Sequence, residues 1–142
     1  MFKVGKPIEL SKEIEIFLSN CTSYKFNTEL MKSKVEKEYK TLNFVITGSL
    51  EENEYSLAFM FNGPVEDLLK LDKHKNYDIK DYLHKGESFL GTNGVFYEVS
   101  IQGNILRFNN NKYIIEITFN TEDNEYCGYL EFDFILDDYL DK

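Results

Sequence analysis

Residues 95–136 read VFYEVSIQGNILRFNNNKYIIEITFNTEDNEYCGYLEFDFIL, and the spacing of their apolar side chains decides the fold class. Val95, Tyr97, Val99 and Ile101 take alternate positions, after which Gln102-Gly103-Asn104 is expected to interrupt the run. Residues 105–108 then reach Asn109-Asn110-Asn111, where asparagine tolerates the positive φ of a tight turn. In the next segment Tyr113, Ile115, Ile117 and Phe119 share one face, with Glu116 and Thr118 on the other. The last run sets Tyr126, Leu130, Phe132, Phe134 and Leu136 on its even face and so turns Tyr129, Glu131 and Asp133 outward. A period of two, cut by short turns, marks an antiparallel meander with one buried face.

The same alternation recurs upstream. Phe2, Val4, Ile8 and Leu10 flank Pro7, and the missing N–H of proline restricts this stretch to an edge strand or an extended lead-in. Ile14, Ile16 and Leu18 oppose Glu13 and Glu15; Ser19-Asn20 predicts a break, and Tyr24 and Phe26 resume the pattern. Residues 29–40 read two ways. A helix capped by Thr28 would align Met31, Val35 and Tyr39, whereas a strand would carry Lys32, Lys34, Glu36, Glu38 and Lys40 in strict alternation. The strand is favoured, with a slip of phase near Lys40-Thr41 of the kind a β-bulge produces. Leu42, Phe44 and Ile46, then Tyr55, Leu57, Phe59 and Phe61, give two further inner faces.

Pro64 suits a first helical position, Glu66 and Asp67 a first turn, and Val65, Leu68, Leu69 and Leu71 an apolar stripe, so a short helix is expected near 64–72. A second, near 78–85, has Asp78 as cap and Gly86 as stop. Asn93-Gly94 is a strong hairpin turn into Val95. The expected architecture is one mainly-β domain over 1–142, an antiparallel sandwich or small barrel of about nine or ten strands with one or two short helices. Sandwich and barrel are not distinguished by the pattern.

With 42% apolar and 29% charged residues in 142, the chain suits a single folded domain and not a disordered one. No apolar run approaches the ~18 residues of a membrane helix. The first seven residues lack the apolar core of a signal peptide, so cytoplasmic residence is expected, with no membrane partner. Cys21 and Cys127 match no metal or redox spacing, and a reducing compartment favours thiols over a bridge.

The templates for catalysis largely fail. His74 and His84 sit beside Lys73, Lys75 and Lys85, read as exposed loop histidines, and lie ten residues apart in no zinc pattern. Gly91 and Gly94 flank a hairpin, not a strand-to-helix phosphate loop. Glu131 and Asp133 would project ~7 Å apart, which suits a carboxylate pair or a hard cation, but from a solvent face without a cleft. No catalytic residue, cofactor or metal is therefore expected, and the chain is read as not an enzyme.

Charge is the informative feature. The net charge is −9, and residues 114–142 alone carry nine acids and one base. Arg107 is the only arginine among sixteen basic residues. Without a clustered basic surface, direct nucleic-acid binding is not expected. The ordinary explanation of the acidic end is a solubilising face. The functional one is a docking surface for a basic protein partner, formed by Tyr129, Glu131, Asp133, Asp137, Asp138 and Asp141. An inhibitor, an immunity-like protein or a mimic of DNA charge fits that description. Two alternatives are a barrel holding a small apolar ligand, with the 64–72 helix as lid, and a structural or assembly subunit whose strand edges pair with neighbours.

Overall fold

In a computed structural model, residues 5–140 are described, apart from the side chain of Lys12. Phe2 and Val4 of the expected lead-in fall outside this range, as does Asp141. Nine strands follow in chain order: β1 (Lys6–Pro7), β2 (Glu9–Asn27), β3 (Lys32–Leu50), β4 (Asn53–Met60), β5 (Asn76–Asp78), β6 (Phe89–Thr92), β7 (Val95–Arg107), β8 (Lys112–Thr121) and β9 (Tyr126–Ile135). They form one sheet in the order β1-β9-β8-β7-β6-β4-β3-β2, with β5 paired to β7. Every pairing is antiparallel except β1 with β9.

The sheet folds over on itself and is not closed into a barrel. The turning point is β7, whose first residues pair with β6 and whose remainder pairs with β8 and β5. The two leaves meet through aromatic rings. Phe44 of β3 lies 5.0 Å from Phe59 and 5.1 Å from Phe61 on its own leaf, and 5.6 Å and 5.7 Å from Phe132 and Phe134 across the interior. Tyr126 meets Tyr55 and Tyr97 in the same way. Each ring withdrawn from water contributes about 1.5–3 kcal/mol, which is why the alternation in β3, β8 and β9 is so regular.

At the opening of the fold the chain itself links the two edges: β1 lies beside β9, one residue, Ile8, follows, and β2 begins on the opposite edge. Lys6 N–H donates to the Glu125 carbonyl and Ile8 N–H to that of Cys127. Pro7, which has no N–H to give, falls between these two donors, so the proline is accommodated as an edge residue without losing a bond.

Several sequence expectations need correction. β2 runs unbroken through Ser19-Asn20, because both residues still pair, with Thr41 and Lys40. β7 runs unbroken through Gln102-Gly103-Asn104. Gly103, at φ 145°, stays in register with Ile117; a Cβ there would run into the Glu116 carbonyl oxygen, so only glycine lets β7 approach β8 this closely. Residues 28–31 are a turn, and β3 begins at Lys32. The bulge sits at Glu36, not at Lys40-Thr41: Ser23 pairs with Lys37 and Tyr24 with Val35, leaving Glu36 as the extra residue. It splits the five alternating charges, placing Lys32 and Lys34 on one side of the hairpin and Glu38 and Lys40 on the other.

The two expected helices are short 3-10 helices, Val65–Lys70 and Ile79–Tyr82, the second capped by the Asp78 carboxylate accepting from Lys80 N–H. They plug one end of the interior with Val65, Leu68, Leu71, Ile79 and Leu83. Arg107 holds this plug. Its guanidinium donates to the carbonyls of Leu69 (2.8 Å) and Leu71 (2.9 Å) and to Asn111 Oδ1 (2.7 Å), so oxygens at the C-terminal end of the turn are satisfied by a cation. Asn111 passes the connection on to Asp137. The buried hydroxyl of Tyr113 donates to the Leu68 carbonyl.

Candidate functional site

β8 and β9 expose opposite sets of residues to those they bury. Glu116 stands directly across from Glu131, Thr118 from Tyr129 and Ile114 from Asp133. Tyr129, Glu131 and Asp133 therefore share one outer face, as the alternation requires, and Glu116 joins them. The turn between the strands is held by Thr121, whose hydroxyl accepts from the N–H of Glu125 (3.1 Å) and Tyr126 (3.0 Å) and donates to Asp123 (2.7 Å).

Like charges opposite one another destabilise a strand pair. Among the described residues no cation lies within 4.0 Å of Glu116 or Glu131. Tyr129, 54% exposed, sits in their field. Its pKa is raised by partial desolvation, then by the Glu116 and Glu131 carboxylates, which repel the phenolate and accept from the phenol. Asp133 differs, with Lys112 Nζ at 3.8 Å. Asp137 and Asp138 lie on the following 3-10 turn, Leu136–Tyr139, where Asp137 accepts from Asn111 at 3.0 Å. Asp138 borders a surface hollow with Tyr139, Lys40, Asn20 and Phe17. Of the six predicted residues, three share the sheet face, two belong to the following turn, and Asp141 lies outside the described residues. Glu116 was legible as a polar-face residue of β8, but its register against Glu131 was not.

The second exposed feature had no counterpart in the sequence expectations. β4 supports β3 only from Asn43 onward, so the pairs from Asn20 opposite Lys40 to Asn27 opposite Lys32 form a two-stranded arm with no third strand among the described residues. Eight residues of β2 reach roughly 25 Å beyond the sheet. The side continuing the core face carries Tyr24 and Phe26 and, beyond the bulge, Val35, all largely exposed; Leu30 and Met31 lie at the tip, Met31 at 75% exposure. The other side carries Lys25 opposite Lys34, with Lys32 and Lys37 alongside. Residues 20–40 hold five lysines and three glutamates, a local charge of +2 in a chain of −9.

Elsewhere the chemistry is sparse. His74 stacks edge-on against Phe108, and His84 Nδ1 contacts the Lys85 carbonyl at 3.0 Å. A surface hollow of about 400 Å³ beside His84 includes Ser100, whose hydroxyl reaches Glu122 at 3.5 Å, not the imidazole. Among the described residues no three of His, Cys, Asp or Glu are grouped to hold a metal ion. Cys21 and Cys127 are free thiols, the second donating to the Gly5 carbonyl.

Comparison with family models, curated proteins and solved structures yields no match. The functional reading therefore rests on the two surfaces alone.

Proposed function

We propose that this chain is a non-enzymatic binding protein whose acidic outer face on β8–β9, centred on Tyr129, engages a basic protein surface. The observation that carries it is the pair Glu116 and Glu131, directly opposed, flanking an exposed tyrosine, with no cation within 4.0 Å of either among the described residues. A lysine or arginine from a partner relieves that repulsion, while the tyrosine supplies an aromatic anchor at the centre of the contact. An inhibitor or immunity-like role, or mimicry of DNA charge, suits such a face, which also repels phosphate and so disfavours direct contact with nucleic acid. Free thiols at Cys21 and Cys127 agree with a cytoplasmic setting. No described helix is long and apolar enough to cross a membrane.

The test is affinity capture at low and high salt, comparing the wild-type chain with Glu116→Gln/Glu131→Gln. A basic partner retained by the first, lost by the second and released by salt supports the reading. Capture indifferent to both changes removes it.

A second reading, an assembly subunit, gains support from the arm, on which Tyr24, Phe26 and Val35 stand largely exposed. The ligand-carrier reading gains no comparable support: the sheet is not closed into a barrel, Phe44 packs among four rings, and Val65 and Leu68 are buried in the core.

A further inference from the structure

We infer that the tip of the β2–β3 arm is a docking element for the surface of an anionic lipid bilayer, which it enters end-on. The inference concerns a different surface from the acidic face and does not depend on what that face binds. It departs from the expectation of no membrane partner, which rested on the lack of a spanning apolar run; a peripheral contact needs none.

Within the arm, exposure of the large apolar side chains peaks at the turn, with Leu30 at 65% and Met31 at 75%. Met31 holds φ 49°, which glycine or asparagine adopts more easily, so an apolar side chain occupies a position that favours a turn-former. Residues 24–35 set Lys25, Lys32 and Lys34 against Glu29 alone, a local +2 in a chain of −9. The arm carries its tip roughly 25 Å beyond the supported sheet, about three Debye lengths at physiological salt. The acids of the body are therefore largely screened from whatever the tip touches.

The arrangement of these groups selects the partner. Tyr24, Phe26 and Val35 lie on one side of the two strands, and Lys25, Lys32 and Lys34 on the other. A folded protein or a nucleic-acid strand laid against the arm meets one side and leaves the other unused. A bilayer entered end-on surrounds the hairpin and meets both. The turn and the aromatic side reach the acyl boundary, while the lysines lay their stems along it and extend their ammonium groups to lipid phosphates. The rungs from Tyr24–Val35 to Asn27–Lys32 span about 10 Å, close to the roughly 5–10 Å depth that interfacial elements occupy. Leaving water also requires partners for the amides of the turn. Asn27 Oδ1 accepts from the N–H of Glu29 (3.0 Å) and Leu30 (3.2 Å), so these donors are satisfied within the chain. Glu29, on the same turn, keeps the insertion shallow. Buried apolar area and attraction to anionic lipid, the two contributions to interfacial binding, are thus supplied by one element.

The test is co-sedimentation of the full chain with vesicles of phosphatidylcholine alone and of phosphatidylcholine mixed with phosphatidylserine. Binding to the mixed vesicles only, weakened by salt, is expected. Lys32→Gln/Lys34→Gln is expected to weaken it about 20-fold, at roughly 5-fold per lysine. Leu30→Ser/Met31→Ser is expected to weaken it about 10-fold through lost apolar contact. All four positions are exposed, and an unchanged urea midpoint verifies the fold of each variant. The chain has no tryptophan, so Met31→Trp reports the surroundings of the tip by itself. Its emission is expected to shift to the blue with mixed vesicles, whereas that of Phe96→Trp, on the exposed β6–β7 hairpin, is not. No binding, equal binding to both vesicles, binding indifferent to either double variant, or a shift at 96 without one at 31 overturns the inference. So does an oligonucleotide or an acidic protein bound through Lys32 and Lys34 by a chain that ignores vesicles. Such a failure leaves the acidic face standing, since that face is read by capture of a basic protein through Glu116 and Glu131.

Discussion

Tyr24 of β2 lies directly opposite Val35 of β3, and both side chains remain largely open to solvent although they belong to the same two strands that bury Ile46 and Phe44. An aromatic facing a β-branched residue is a favourable cross-strand pair, worth about 0.2–1 kcal/mol. An isolated two-stranded hairpin is nonetheless marginal in water. The arm is therefore the part of the sheet expected to open first, and the body should not depend on it.

Replacing residues 20–40 by an Asn-Gly turn between Ser19 and Thr41 is expected to leave the body folded, because no buried core residue lies in that segment. Urea unfolding should move by no more than about 1 kcal/mol. A collapse of cooperativity would show that the arm supports the body after all.

Gly103→Ala is expected to destabilise the chain by about 3–5 kcal/mol, combining a φ of 145° with a Cβ placed on the Glu116 carbonyl. The check is the urea midpoint. Since β7 belongs to both leaves, a change under 1 kcal/mol would contradict the tight β7–β8 approach.

Arg107→Ala strips donors from the Leu69 and Leu71 carbonyls and is expected to cost about 2–3 kcal/mol. Arg107→Lys should recover only part, since one ammonium cannot reproduce the planar fork. Amide exchange should rise first in Val65–Lys70. Equal stability of Arg and Lys forms would count against the fork geometry.

Alkali offers a separate check. Burial is the chief cause that pushes Tyr113 up to about 12, and Tyr126 is raised further, first through its hydrogen bond with Tyr55 and then by burial. Between the ordinary tyrosine value of about 10 and about 12, the unfolded chain loses protons that the folded chain keeps, so stability falls as pH rises through that window. Tyr113→Phe is expected to flatten the fall, measured as the pH dependence of the urea midpoint. An unchanged slope would mean that Tyr113 titrates normally.

Glu131→Lys sets a cation opposite Glu116 and is expected to stabilise the fold by about 0.2–1 kcal/mol while abolishing partner binding. Opposite signs in the two measurements identify a face held in a repulsive state for function. Destabilisation would mean that the two carboxylates do not feel each other.

Where one face is buried, alternation was a sufficient guide: Tyr113, Ile115, Ile117 and Phe119, and Leu130, Phe132, Phe134 and Leu136, all lie inside as their spacing requires. It failed where hydrogen bonding, not burial, decides. Ser19-Asn20 and Gln102-Gly103-Asn104 look like punctuation, yet their backbones stay in the ladder because the partner strands continue past them. The arm was illegible for a related reason. A strand exposed on both faces and a strand with one polar face read alike through Lys32–Lys40, and only the absence of a third strand separates them. The bulge at Glu36 had a signal, since Val35 and Leu42 occupy positions of opposite parity, but not one that fixed its site. In the candidate site, outward pointing of Glu131 and Asp133 could be read directly, whereas their neighbour Glu116 required a register set by the Thr121–Glu125 turn.

Ile8 carries a mechanical consequence. With a single residue between Pro7 and Glu9, the two margins of the sheet cannot part there by more than about 7 Å, the reach of two peptide units. The molecule is thus a clasp fastened at one point, in which breathing is confined to the ends remote from that stitch. Any motion that spreads the leaves must pivot on it, swinging the long hairpin as the lever.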